Sequence, residues 1–384
     1  MSMEYIRTDG IYHPDREEIK KSIVVVEDGD IVELRDDVPT DTEVTIETDG
    51  YALPGFVDAH SHASIRPWEG DQIGQLRADA AVGAVRATNN LWRDLEAGTT
   101  TMRLMGEERG LDLHLAALER EGELNAPRLL PSGVHLTPTG GHGKALTATD
   151  GSSAIRTRIR TNVEAGAHHV KYFATGGVSS DTGDVGRPLY TDEEVAAIVD
   201  ESHRLGVHVA AHAHGGRGAL SAVEAGVDTI EHGGALDEET LNALDGSDRH
   251  VIGTFSILHH PRGIEAGDAD SPAVMAKVRE ARERGGEAWT TLLERDVAVA
   301  LGTDSMHGHL ADEVAHLLDL GTSPEVAIRA ITTEAARAAH IDHRVGSLEA
   351  GKSADLVIVN DHPLENPHTV ADPQAVVKRG EVVA

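Results

Sequence analysis

PGFVDAHSH, residues 54–62, decides how this chain is read: a glycine-led apolar run that closes on two histidines at alternate positions. Apolar residues crowded into so short a run predict a strand buried on both faces, as in a parallel sheet. The predicted strand covers residues 53–60. Seven runs of the same texture follow at 99–105, 128–133, 168–174, 207–213, 227–233, 251–256 and 297–304, separated by helix-like segments. Eight strands alternating with helices define an α/β chain with the arithmetic of a (β/α)8 TIM barrel, whose active sites lie at the carboxyl ends of the strands. His60, His62, Lys171, His212, His232 and Asp304 all fall at those ends. Together they are predicted to supply the ligands of a two-metal hydrolytic centre. The helices carry their own signals. TDEE at 191–194 is a capping box, Gly206 ends the helix it starts, and Ser323 with Pro324 is an N-cap followed by an N1 proline.

The chain has 384 residues, enough for a barrel of roughly 250 residues and a smaller unit. Residues 22–34 (SIVVVEDGDIVEL) predict a hairpin turning at Asp28-Gly29. The tail repeats that texture at 355–359 and 375–383. Neither end is long enough for its own core, so residues 1–54 and 345–384 are expected to form one β-sandwich, with a barrel of residues 55–344 inserted between them. No repeat of fixed period and no low-complexity linker interrupts the chain.

The net charge is -31, from 65 acidic and 34 basic residues, which argues against nucleic-acid and anionic-membrane partners. Only 7 of the basic residues are lysine. Such a surface suits concentrated salt, where self-repulsion is screened, and the chain is read as salt-adapted. With no cysteine there are no disulfides and no thiolate ligands, which leaves histidine, carboxylate or modified lysine to hold a metal. The start, MSMEYIRTDG, has no secretory pattern, and no apolar stretch approaches a membrane span of about 18 to 20 residues. A cytoplasmic location is expected, and so is a homo-oligomer.

Strand alternation puts His60 and His62 on one side, where both imidazoles can hold one metal. An isolated HxH is a weak signal; at the end of a predicted barrel strand it gains weight. Lys171 lies inside an apolar strand of a chain that has nearly abandoned lysine. Burying an ammonium costs several kcal/mol unless it is paired or neutralised. Lys171 is therefore either half of a buried ion pair or a lysine carboxylated at N6, whose carbamate oxygens would bridge two cations; the surrounding histidines favour the second. His212 and His232 end neighbouring strands and complete a second ligand set. Asp304 can ligate and also carry a proton, or alternatively cap the next helix.

PGFVDAHSH, VKYFATGG, AHAHG, IEHGG, LGTDS and the tail GSLEAGKSADLVIVNDHPL together resemble the amidohydrolase superfamily, over essentially the whole chain. ATGGVSS, TGGHG at 139–143 and the run from TDEEVAAIVDESHRLG to AHAHG are similar to its Xaa-Pro dipeptidase-like and imidazolonepropionase-like branch. The resemblance implies that His60, His62 and Asp304 hold one metal, that His212 and His232 hold the other, and that carboxylated Lys171 bridges them. Relatives with one metal lack the bridging lysine, so Lys171 favours the dipeptidase-like side.

The implied chemistry is amide hydrolysis with two divalent metal ions, zinc the expected pair, although manganese and cobalt suit the same ligands. Asp304 would accept a proton from the attacking water and deliver it to the departing amine. An oxyanion donor is also needed, with His142 the first candidate and His214 the second; a loop histidine facing solvent is the alternative for each. Arg187 and Tyr190, in GRPLYTD, are candidates for binding a substrate carboxylate, and His142 and His307 for lining the pocket. Each is equally compatible with an ordinary loop. His168, His169, His259 and His260 carry no site reading. The expected substrate is a small-molecule amide, an Xaa-Pro dipeptide or an N-acyl amino acid. The alternative is a cyclic amide hydrolase or deaminase. A non-catalytic scaffold relative should have lost ligands, and none of the six is missing.

Overall fold

Gly55 splits the predicted strand 53–60 in two. Tyr51–Pro54 joins a sheet built from the chain ends, and Phe56–Ser61, here β1, opens the parallel set. A Cβ at Gly55 would lie 2.1 Å from Thr100 Oγ1, so only glycine permits this approach. The structure is a computed structural model that describes residues 3–20, 22–38, 44–179 and 183–384. Met1, Ser2 and Ser180, the last residue of ATGGVSS, lie outside the described residues.

The other parallel strands are Thr99–Leu104 (β2), Arg128–Leu130 (β3), His169–Phe173 (β4), His208–Gly215 (β5), Thr229–Ala235 (β6), His250–Gly253 (β7) and Ala298–Leu301 (β8). Each lies within a predicted run or overlaps it. The run at 251–256 stops early because its last residue starts a short helix, Ser256–His259. Every pairing in the set is parallel, in two sheets ordered β3-β2-β1 and β4-β5-β6-β7-β8. Backbone hydrogen bonds span both gaps between them. Leu136 N donates to Lys171 O at 2.9 Å, and Asp304 N donates to His60 O at 2.8 Å. Helices such as Ala80–Glu96, Gly151–Glu164, Asp192–Arg204 and Pro272–Leu293 lie between successive strands.

Local signals explain the helix starts. Thr191 and Glu194 form the reciprocal capping box ahead of Asp192–Arg204, and Ser323 accepts from Val326 N ahead of Pro324–Arg329. Gly206, at φ +77°, follows the first of these helices in the left-handed conformation.

The chain ends meet through their strands. Leu356–Val359 pairs antiparallel with Tyr51–Pro54 and with Pro373–Lys378, in a six-stranded sheet that also holds Gly10–His13. The hairpin forms as Ile23–Glu27 and Asp30–Arg35, with Asp28 and Gly29 both at positive φ, as a type I′ turn requires. It belongs to a separate four-stranded sheet. Ile6, Val24, Val26 and Ile31 from this second sheet share one buried cluster with Ile11, Ala52, Leu356 and Val377 from the first. Among the described residues, no helix is long and apolar enough to cross a membrane.

Candidate active site

The carboxyl ends of the parallel strands surround a cavity of about 360 Å³, within the range of small-molecule sites. All six residues expected as metal ligands line it. From the end of β1, His60 Nε2 lies 3.4 Å from Asp304 Oδ1, and His62 Nε2 lies 3.9 Å from the same oxygen. His232, midway along β6, brings its ring to 4.7 Å from that of His60, and one donor atom each of His60, His232 and Asp304 falls within 4.8 Å of the others. His212 on β5 lies 4.6 Å from the His232 ring. His232 and Asp304 both have left-handed backbones, at φ +75° and +46°. Non-glycine residues rarely adopt this conformation, and its cost is most often borne where function fixes a side chain.

Hydrogen bonds orient these rings. His60 Nδ1 faces Glu231 Oε2 at 2.6 Å, His62 Nδ1 faces Gly106 O at 3.0 Å, and His232 Nδ1 faces Thr254 Oγ1 at 2.8 Å. Each bond leaves Nε2 as the other ring nitrogen. His60 Nε2 is buried and has no hydrogen-bond partner among the described residues. His212 differs, its Nε2 lying 3.2 Å from Gly176 O.

Burial lowers His62 to about 3 and holds His212 and His232 well below the usual imidazole range, so all three carry lone pairs at neutral pH. For Asp304, burial would raise the carboxyl, but contact with His60 and the charges of His60, His62 and Lys171 outweigh it and hold the group below its ordinary value. Lys171 is 1% exposed. Burial lowers its amine to about 8, against the opposing charges of Glu231 and Asp304. Its Nζ sits 5.2 Å from the centroid of the Phe173 ring, and among the described residues it forms no ion pair within 4 Å. Lysine at such a pKa is partly neutral, the form that reacts with carbon dioxide. An orphaned imidazole nitrogen, neutral histidines, an ionised aspartate and a lysine with a lowered pKa are a donor set that fits divalent metal.

His142 and His214 also reach the cavity. His142 is buried, 4.8 Å from the His212 ring, and its Nδ1 has no partner among the described residues. A Cβ on Gly177 would overlap the His142 ring at 2.1 Å, so that glycine makes room for it. The His214 ring stacks on that of His232 at 5.1 Å. Burial lowers His142 to about 3 and His214 to about 4.

The other substrate candidates are placed elsewhere. Tyr190 is packed in the main hydrophobic cluster and its hydroxyl donates to Thr149 O at 3.0 Å. His307 is held by Asp94 Oδ2 at 2.7 Å and by Ile65 O at 3.1 Å, which engages both ring nitrogens. Arg187 is exposed and does not line the cavity. Sequence reading missed Glu231, Arg103, Lys277 and Arg284. Arg103 Nη1 lies 3.2 Å from Glu231 Oε1, and both side chains are fully buried. Opposite charges inside two apolar strands, TTTMRLM and VDTIEHG, were the available signal. Lys277 and Arg284, on the helix Pro272–Leu293, bring cations to the cavity wall.

Eight parallel strands with a histidine-rich, carboxylate-bearing cavity at their carboxyl ends define an α/β protein with a hydrolase-type site. The chain belongs to the amidohydrolase family, whose model matches residues 51–383, and it is a hydrolase acting on carbon–nitrogen bonds. It is 26% identical over 354 residues to an ochratoxinase of Aspergillus niger, covering 84% of this chain and 73% of that protein. A crystal structure of a Xaa-Pro dipeptidase with methionine bound in the active site superposes at a TM-score of 0.90, with 25% identity and all of both chains covered. A prolidase complexed with N-methylphosphonate-L-proline superposes at 0.89, with 26% identity over 100% of this chain and 99% of that one. Imidazolonepropionases are also among the relatives, which places the chain in the branch its motifs resemble.

Proposed function

We propose that this protein is a two-metal amidohydrolase that cleaves the amide of a small substrate carrying a carboxylate, an Xaa-Pro dipeptide or an N-acyl amino acid. The observation that carries this reading is Lys171, 1% exposed with a lowered pKa, in the middle of β4 and on the wall of a cavity lined by histidines and Asp304. His60, His62 and Asp304 would hold one ion, His212 and His232 the other, and Lys171, carboxylated at N6, would reach both. When bound, two divalent cations, zinc the expected pair, would lower the pKa of a shared water and polarise the scissile carbonyl.

The remaining work falls to the chain. Asp304 takes a proton from the attacking water as the C–O bond forms, and gives it to the amine nitrogen as the C–N bond breaks. His142, and second His214, whose rings both line the cavity, would donate to the oxyanion. Lys277, and Arg284 once released from its 3.1 Å ion pair with Glu280, would supply positive charge for the substrate carboxylate, the role that sequence had suggested for Arg187. Phe173, Val178, Ile257 and Trp289 provide apolar wall for a side chain.

The architecture belongs to the same proposal. The hydrogen bonds across both gaps between the parallel sheets support a (β/α)8 barrel over residues 55–344. The buried cluster shared by the two end sheets supports a β-sandwich of residues 1–54 and 345–384.

The test is a panel of Xaa-Pro dipeptides, other dipeptides and N-acyl amino acids incubated with metal-loaded protein in high salt, with bound metal counted. Hydrolysis of one class and two ions per chain are expected. One ion per chain with ring opening of a cyclic amide would transfer the protein to the imidazolonepropionase-like reading.

A further inference from the structure

A second histidine cluster lies at the opposite ends of the strands. His169 is the first residue of β4, His208 is the first of β5, and the two are register partners. His168 immediately precedes β4. One ring nitrogen from each of the three lies within 4.8 Å of the others. The rings of His169 and His208 stack at 5.3 Å, and that of His168 meets the His208 ring edge-on at 5.1 Å. None of the three lines the cavity. His208 is four residues before His212, about 13 Å along an extended strand.

Their hydrogen bonding is incomplete. His169 is 0% exposed, yet neither of its ring nitrogens has a partner among the described residues. His168 Nδ1 and His208 Nε2 are also buried and unpartnered. A neutral imidazole has one N–H to donate and one lone pair to fill, and leaving such groups dry and unmatched is costly. Four in one place is far from the rule that buried polar groups are satisfied. A cation that accepts one lone pair from each ring would match at most three of the four and leave a single N–H of His169 without a partner. Burial lowers His168 to about 4 and holds His208 well below the usual range, so both are neutral lone-pair donors at pH 7.

The surrounding charges are compatible with a dication. Arg103 is the main positive charge acting on His168 and His208, and its guanidinium is engaged by Glu231 and Thr229, which offsets its repulsion of a cation. His340 stacks on His208 at 4.4 Å, and its Nε2 lies 4.0 Å from Asp228 Oδ1, which places an anion behind the cluster. The other oxygen of Asp228 faces His203 Nε2 at 2.9 Å.

We propose that His168, His169 and His208 form a metal site separate from the catalytic cavity, binding one transition-metal dication of the zinc, cobalt or nickel class through three imidazole nitrogens. Such ions favour imidazole, with metal–nitrogen distances of about 2.0–2.1 Å, so binding would draw the three nitrogens closer than the 4.8 Å within which they now lie. His168 is only half-buried, so the fourth position opens toward solvent on its side. At the amino-terminal face of the strands, where side chains serve stability, the ion clasps β4 to β5.

The test strips the full-length protein of metal with a chelator and titrates it with Co²⁺ alone, reading bound equivalents and visible absorption. His168→Gln and His208→Ala are compared with the wild type, since neither residue belongs to the catalytic cavity. Each variant should bind one equivalent fewer, or bind that equivalent at least tenfold more weakly. Each should also lose the part of the Co²⁺-induced rise in melting temperature that the site supplies. His168→Gln changes a half-buried residue at the edge of the fold and carries the test if His208→Ala fails to fold. Wild-type uptake and affinity in His168→Gln would overturn the proposal.

Discussion

Glu231 Oε2 lies 2.6 Å from His60 Nδ1 while Glu231 Oε1 lies 3.2 Å from Arg103 Nη1, so one buried carboxylate joins an expected metal ligand to a buried guanidinium. Burial would raise that carboxyl, but the Arg103 charge and the His60 hydrogen bond hold it down at about 2. The anion fixes the proton of His60 on Nδ1 and turns Nε2 toward Asp304. Removing such an outer partner typically weakens metal binding by about 10–100-fold. Glu231→Gln should do so, and should also destabilise the fold by about 3–5 kcal/mol by leaving Arg103 buried without a counter-charge. Adding Arg103→Met should restore the melting temperature but not the metal affinity. Recovery of both, read by calorimetry and metal titration, would show that Glu231 serves the fold alone.

Gly302 makes the closest approach to His60 of any glycine. A Cβ there would lie 2.4 Å from His60 N and 2.6 Å from His60 Cβ. Gly302→Ala must therefore displace the end of β1, at an overpacking cost of about 1–3 kcal/mol. Metal occupancy and hydrolysis should fall together, more than the loss of melting temperature alone accounts for. Unchanged metal content at full occupancy of the folded state counts against the ligand role of His60.

Lys171 makes the sharpest demand on the two-metal reading. Lys171→Ala should abolish binuclear metal binding and amide hydrolysis together, and short carboxylic acids should restore part of both by replacing the carbamate. Metal analysis and turnover of the best substrate check this. Full activity in the variant would remove carboxylated lysine from the mechanism.

The strands were legible because eight apolar runs, each bounded by turn or helix signals, leave few other arrangements, and the cavity residues because most of them stand at or near the close of such a run, with Lys171 inside its own. The loops were less legible. Tyr190 and His307 are polar in sequence, but in the structure a backbone carbonyl takes the hydroxyl of one, and Asp94 and Ile65 take the ring of the other. Lys277 and Arg284 sit on a 22-residue helix between β7 and β8 that wraps over the cavity, and nothing in its local sequence says which turn faces inward. The pairing of Arg103 with Glu231 spans 128 residues, beyond the reach of any local pattern.

The charge of -31 with only 7 lysines predicts a protein whose stability depends on salt. Self-repulsion of like charges is screened over roughly 10 Å at 0.1 M salt and 3 Å at 1 M. The melting temperature should rise between low and molar potassium chloride. A flat or falling profile would mark the acidic surface as ordinary.

Glu201 offers an opposing electrostatic contribution. Its buried carboxylate receives Arg160 Nε at 2.7 Å and Arg156 Nη1 at 2.8 Å, joining the helix Gly151–Glu164 to Asp192–Arg204, and Arg204 adds a third contact. The Arg160 hydrogen bond chiefly, with Arg204 and Arg156, lowers the carboxyl to about 2 from an ordinary 4.5, against the opposing effect of burial. A lowered folded-state pKa means that the stabilisation is complete above pH 4.5 and is lost as the pH falls from there through 2. The arginines face solvent and are screened, so the contribution is about 1–2 kcal/mol rather than the full value of the shift. Glu201→Gln should therefore lower stability by that amount at pH 7. The gap to the wild type should narrow as the pH falls below 4.5, and it should also narrow in molar salt, while the stability of both proteins rises. Denaturant unfolding at pH 7 and pH 3.5, in low and high salt, separates the two effects. A gap independent of both pH and salt would mean that Glu201 acts through packing rather than charge.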